Sequence, residues 1–173
     1  MGHSRGGEGV VTAATLNQGL ASSWSIRSVF ALAPVDFTRN TLPDVTTTTM
    51  LPYCDGDVAD QQGQHFYSDS RHNFDDNVAR SNVWVMGANH NFFNRNWTPP
   101  FVSASDDWGT SAARQNDAVC GPAAPTTTRL TPAQQYQVGA AYIAGFFELT
   151  LGGQKQFQPM FDGTGAEPSS VAA

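Results

Sequence analysis

Met1-Gly2-His3-Ser4-Arg5-Gly6-Gly7 is the stretch that decides how the rest of the chain is read. It contains Gly-x-Ser-x-Gly, as Gly2-His3-Ser4-Arg5-Gly6. The pattern fits a strand that turns sharply into a helix, with the serine at the tip of the turn. Its glycines have a steric task. The serine is held in a strained backbone conformation, and a side chain at Gly2 or Gly6 would collide across the turn. The strain aims Oγ out of the sheet, where a base can reach it.

Working outward, Glu8 to about Leu20 reads as the helix behind the turn, with Gly9, Ala13 and Ala14 small enough to let it lie close to a sheet. Its N-terminal end faces Ser4, where the helix dipole favours developing negative charge. Ser25 to Pro34 reads as a strand whose apolar end suits a parallel strand covered on both faces. Thr46 to Tyr53 is β-branched and then apolar, a second strand. It runs into the acidic loop Cys54-Asp55-Gly56-Asp57-Val58-Ala59-Asp60. A short helix is expected around Gln62–Ser68. A third strand, Ser81–Gly87, ends at Ala88-Asn89-His90-Asn91-Phe92-Phe93-Asn94.

Residues 95–130 carry little periodicity, and a connection of that length is often functional, here a candidate lid. It includes Asp106-Asp107-Trp108 and Cys120-Gly121-Pro122. Thr131-Pro132-Ala133-Gln134 is a helix start, with a threonine cap, proline at the first helical position and glutamine in the capping-box position. Tyr136, Ala140, Ile143, Phe147 and Leu151 follow at helical spacing and read as core, and Gly152-Gly153 stops the helix. Gln154 to Asp162 is expected to dock through Phe157, Met160 and Phe161. Residues 163–173 read as a disordered tail or linker. There is no internal repeat.

A chain of 173 residues suits one domain. A hydrophobic fraction of 40% supports a core, and a charged fraction of 14% with many small polar residues suits a secreted protein. The net charge of −6, with no Lys/Arg cluster, argues against nucleic-acid binding. No apolar run approaches the roughly 20 residues of a membrane helix. Cys54 and Cys120 are the only cysteines, a pair that suggests one disulfide in an oxidising compartment. The four histidines lack the paired spacing of a zinc site, so no metal and no cofactor is expected.

The order is serine turn, helix, strand, strand with acidic loop, strand with histidine, helix. It resembles the second half of an α/β-hydrolase, in which the triad partners follow the serine as Asp or Glu and then His. The resemblance covers roughly residues 1–150. Gly2-His3-Ser4-Arg5-Gly6-Gly7 looks closest to the nucleophile elbow of secreted bacterial esterases, lipases and cutinase-like polyester hydrolases. Gly87-Ala88-Asn89-His90-Asn91-Phe92-Phe93-Asn94 is similar to a stretch in actinobacterial hydrolases. The resemblance implies Ser4 as nucleophile, His90 as base and Asp57 as the acid, with Asp55 and Asp60 close enough to take its place. It implies the Arg5 amide as one oxyanion donor. His65 and His72 compete with His90 but lie between the second and third strands, where the fold does not put its base. His3 is expected to support the strand end. Phe92, Phe93, Trp97 and Trp108 could line an apolar acyl site.

The fold expected is therefore α/β: a three-stranded parallel half-sheet after the elbow, flanked by helices, with residues 1–162 as the C-terminal portion of a catalytic domain truncated at its N-terminus. Such a piece would expose a strand edge that a second chain could cover. The function implied is hydrolysis of carboxylic esters through an acyl-enzyme. A peptidase or amidase of the same fold, or an inactive fragment with a binding role, are the alternatives.

Overall fold

The structure is a computed structural model that describes residues 1–21, 24–42, 44–55, 61–73, 75–97, 116–121, 123–125 and 129–165. Four strands form one sheet in the order β1-β2-β3-β4: β1 Gly2–His3, β2 Ser28–Leu32, β3 Thr46–Cys54 and β4 Arg80–Asn89. Every neighbouring pair is parallel. Three helices flank it: α1 Arg5–Gln18, α2 Gln64–Ser70 and α3 Pro132–Thr150. The chain is thus an α/β protein with a parallel four-stranded sheet, comprising the three expected strands and the two-residue strand that carries the serine turn.

The apolar run in β2 is explained by two cores, one on each face of the sheet. Alternate residues of a strand point to opposite faces. Val29 and Ala31 pack with Val11 and Ala14 of α1 and Phe66 of α2. Phe30 and Leu32 pack with Met50, Val85 and, from α3, Val138 and Phe146. No alternating polar face is left, as expected for a covered parallel strand.

Helix placement corrects several expectations. The buried face of α1 is Gly7, Val11 and Ala14; Gly9 and Ala13 face solvent. On α3 the fully buried positions are Gln135, Val138, Gly139, Gly145 and Phe146. Ile143 and Phe147 are half-buried against that core, while Tyr136 and Leu151 are exposed. Tyr136, Ala140 and Ile143 line an open groove of about 400 Å³ with Met1, His3 and Phe93.

The caps behave as read. Thr131 accepts from the Gln134 amide, and the Gln134 side chain accepts from Thr131 N–H, 2.9 Å. After α3 the chain folds back as a 3-10 helix, Lys155–Met160. Phe161 packs edge-on to Tyr142 and Phe146, with ring centroids 5.9 and 5.6 Å apart. Cys54 and Cys120 are bonded, with Cα atoms 5.3 Å apart and a sequence separation of 66. In the chain-entropy account, closing a loop of that length contributes about 4 kcal/mol.

The elbow glycines divide differently from the expectation. A Cβ on Gly2 would stand 2.0 Å from the Gly6 carbonyl oxygen, so Gly2 is required. A Cβ on Gly6 would meet nothing within 4 Å. The second tight position is Gly7, where a Cβ would fall 2.6 Å from Cβ of Pro34. The Cβ position of Gly2 points into the Gly6 backbone, whereas that of Gly6 points away into open space on the exposed side of α1. Gly2→Ala is expected to destabilise the protein by about 3 kcal/mol or more, since a backbone atom must move. Gly6→Ala should stabilise by about 0.5–1 kcal/mol through helix propensity. Urea melts of the two variants, compared with the parent, check the opposite signs.

Candidate active site

The site is assembled at the ends of three strands. β1 ends at His3, and Ser4 follows with φ 58° and ψ −124°, a conformation that strongly favours glycine. The surroundings hold it there. Ser4 N–H donates to Leu32 O (3.0 Å), while Ser4 O accepts from Gly7 N–H (2.9 Å) and Val35 N–H (3.4 Å). Ser4 is thus tied to both the end of β2 and the first turn of α1.

Asp55 stands at the end of β3. Asp55 follows Cys54, is fully buried, and hydrogen-bonds through Oδ1 to His90 Nδ1 at 2.6 Å. Its Oδ2 accepts from Gln61 N–H at 3.0 Å. The carboxylate on the histidine is therefore that of Asp55, not the favoured Asp57. Nδ1 presents a single N–H, and Asp55, the first residue after the strand, already takes it. Asp57 and Asp60 lie outside the described residues. The disulfide anchors Cys54, one residue from this carboxylate.

His90 stands at the end of β4. The β3–β4 register shifts between Pro52 and Cys54, where Pro52 faces Val85 but Cys54 faces Asn89. The extra residues on β4 include Gly87 at φ 72°. Such a bulge re-aims the residues beyond it, here Asn89 and His90. Asn89 is fully buried, and its Oδ1 accepts from the amides of Asn91 and Phe92, both 2.9 Å. Gln135 of α3, also fully buried, clamps the Asn89 backbone: its Oε1 accepts from Asn89 N–H at 2.9 Å and its Nε2 donates to Asn89 O at 2.6 Å. Nothing in the sequence around Gln135 marked it beyond a position inside an apolar helix.

His90 Nε2 then lies 2.9 Å from Ser4 Oγ. The tautomer that donates Nδ1–H to Asp55 leaves the lone pair on Nε2, facing the Ser4 hydroxyl. His90 is 3% exposed, so these hydrogen bonds are largely shielded from bulk water. His3 supports it from below: His3 Nε2 lies 2.9 Å from His90 O, and the two rings are 4.9 Å apart. The Arg5 N–H opens α1 and has no acceptor within the helix. It stands directly after the serine, where a negative oxygen bonded to Ser4 would develop.

The competing histidines are elsewhere. His72 is exposed. His65 Nδ1 lies 3.3 Å from Asp36 Oδ2, and burial raises the Asp36 carboxyl above the ordinary range. Phe92 is buried, and Phe93 packs against Gly139 of α3; Trp108, Asp106 and Asp107 lie outside the described residues. A cavity of about 580 Å³ lies at the other end of the sheet, by Thr46, Arg80 and Asp162, and includes none of the three residues. Among the described residues no group of His, Cys, Asp and Glu is arranged to hold a metal ion, and no helix is long and apolar enough to cross a membrane.

No family model matches the chain, and no curated protein matches its sequence.

Proposed function

We propose that the chain carries the catalytic residues of a serine hydrolase of the α/β-hydrolase type, acting on carboxylic esters. The observation that supports this reading is the continuous relay from Ser4 Oγ through His90 to Asp55, at 2.9 and 2.6 Å. It stands where a helix begins and on a serine in a strained backbone.

In this reading Ser4 Oγ attacks the ester carbonyl carbon while His90 Nε2 takes its proton. Asp55 holds the imidazole in the working tautomer and stabilises it when charged. The negative oxygen of the tetrahedral intermediate accepts from the Arg5 N–H, aided by the α1 dipole. The carbon–oxygen bond to the alcohol breaks, and His90 returns the proton to the leaving alkoxide. Water, deprotonated by His90, then attacks the acyl-serine and releases the acid and Ser4.

Labelling with a fluorophosphonate tests the reading, because only an activated serine reacts. The expected result is a single adduct that maps to Ser4 and is absent from Ser4→Ala. An intact, folded chain that takes no label at Ser4 and turns over no ester would sink the proposal.

A further inference from the structure

The side chain of Arg5 is not needed for the chemistry, which uses only its backbone amide, yet the fold holds it in place. Its guanidinium lies over the Phe37 ring, 5.7 Å from the centroid. Phe37 is itself fixed. Oε1 of Glu8 in the first turn of α1 accepts from the amides of Phe37 (2.8 Å) and Thr38 (2.9 Å). Glu8 is three residues after Arg5 and would otherwise be its natural helical ion partner. That oxygen instead binds the loop after β2. Among the described residues no carboxylate forms an ion pair with Arg5, and Arg5 and Phe37 are both exposed. A cation stacked on an aromatic face, with no carboxylate of the described residues paired to it, can take up an anion. This one is one residue from the nucleophile, in a chain whose net charge is −6.

We propose that Arg5 and Phe37 form a subsite that selects esters bearing a carboxylate, such as half-esters of dicarboxylic acids. The inference rests on the serine hydrolase reading above. Arg5 supplies a planar fork that pairs with the substrate carboxylate. Phe37 keeps the long side chain from sampling other rotamers and offers a face to the carbons beside the carboxylate.

The test compares two esters of similar size in the full chain: mono-p-nitrophenyl succinate, which is anionic, and p-nitrophenyl butyrate, which is neutral. The expected result is a higher kcat/KM for the succinate. The succinate-to-butyrate ratio should fall about ten-fold in Arg5→Gln, the scale of one exposed charge-assisted contact, and further in Arg5→Glu. Phe37→Ala should lower the ratio by a smaller factor. The parent's ratio should also collapse toward one near 1 M salt, where the screening length is about 3 Å; this measurement needs no variant. A ratio unchanged by salt and by all three substitutions, with Ser4-dependent turnover of both esters, overturns the subsite and leaves the hydrolase reading intact. Absence of Ser4-dependent turnover or labelling overturns both.

Discussion

Ser4→Ala is expected to lower ester turnover about 10⁴-fold or more, because the relay from His90 then ends on a methyl group. Folding should be nearly unaffected. Ser4 makes its structural contacts through the backbone, with Leu32 O, Gly7 N–H and Val35 N–H, and alanine keeps all three. Ser4→Gly should be equally inactive but more stable than the parent. A non-glycine residue at φ 58°, ψ −124° carries strain of about 1–3 kcal/mol, and glycine removes it at some cost in chain entropy. A net gain of about 1 kcal/mol corresponds to about 2–4 °C in a domain of this size. Progress curves with a chromogenic ester and thermal melts on the same preparations read both quantities. Turnover surviving in Ser4→Ala would remove the serine from the mechanism. A glycine variant less stable than the alanine one would mean the turn is not strained.

Asp55→Asn should cost nearly as much in rate, and by a traceable route. The carboxylate bridges two donors, His90 Nδ1–H and Gln61 N–H. An asparagine has one oxygen for them. If that oxygen serves Gln61, the amide NH₂ faces Nδ1 and forces the proton onto Nε2. The imidazole is then in the wrong tautomer to accept from Ser4, a change worth about 10⁴ in kcat in a comparable triad. Asp55 is fully buried, so water does not readily rescue the geometry. Asp57→Asn is expected to change kcat by no more than about two-fold, since His90 Nδ1 is already engaged by the Asp55 carboxylate. Steady-state rates of the two variants side by side decide between the carboxylates. Loss in Asp57→Asn with retention in Asp55→Asn would reverse the assignment.

The sequence made the serine turn and the strand order legible because both are local. Gly2 is demanded by a carbonyl four residues away, and the double-sided burial of β2 is written in its unbroken apolar run. The choice of acid was not legible. Asp55, Asp57 and Asp60 sit within six residues, and what separates them is where β3 ends relative to His90. That is set by a register shift opposite Pro52 and by a glycine at positive φ in the neighbouring strand, neither of which has a local signature. Gln135 was hidden for a related reason. Its partner is the backbone of Asn89, 46 residues away, and a backbone partner imposes no residue type that a pattern could reveal. The stripe on α3 was misplaced because periodicity gives the apolar arc of a helix but not which part of that arc faces the sheet, here Val138 and Phe146.

The Cys54–Cys120 bond makes a covalent ring of the chain between those two residues. His90 lies inside the ring, Asp55 is its first residue past Cys54, and Ser4 is outside. A single proteolytic nick anywhere between 54 and 120 therefore opens the ring without dividing the molecule. Asp55 and His90 stay joined through the bridge even when the backbone between them is cut. A nick between Asp55 and His90 made before the bond has closed would release them into separate polypeptides. For this fold the order of oxidation and proteolysis decides whether a cut chain is still one molecule.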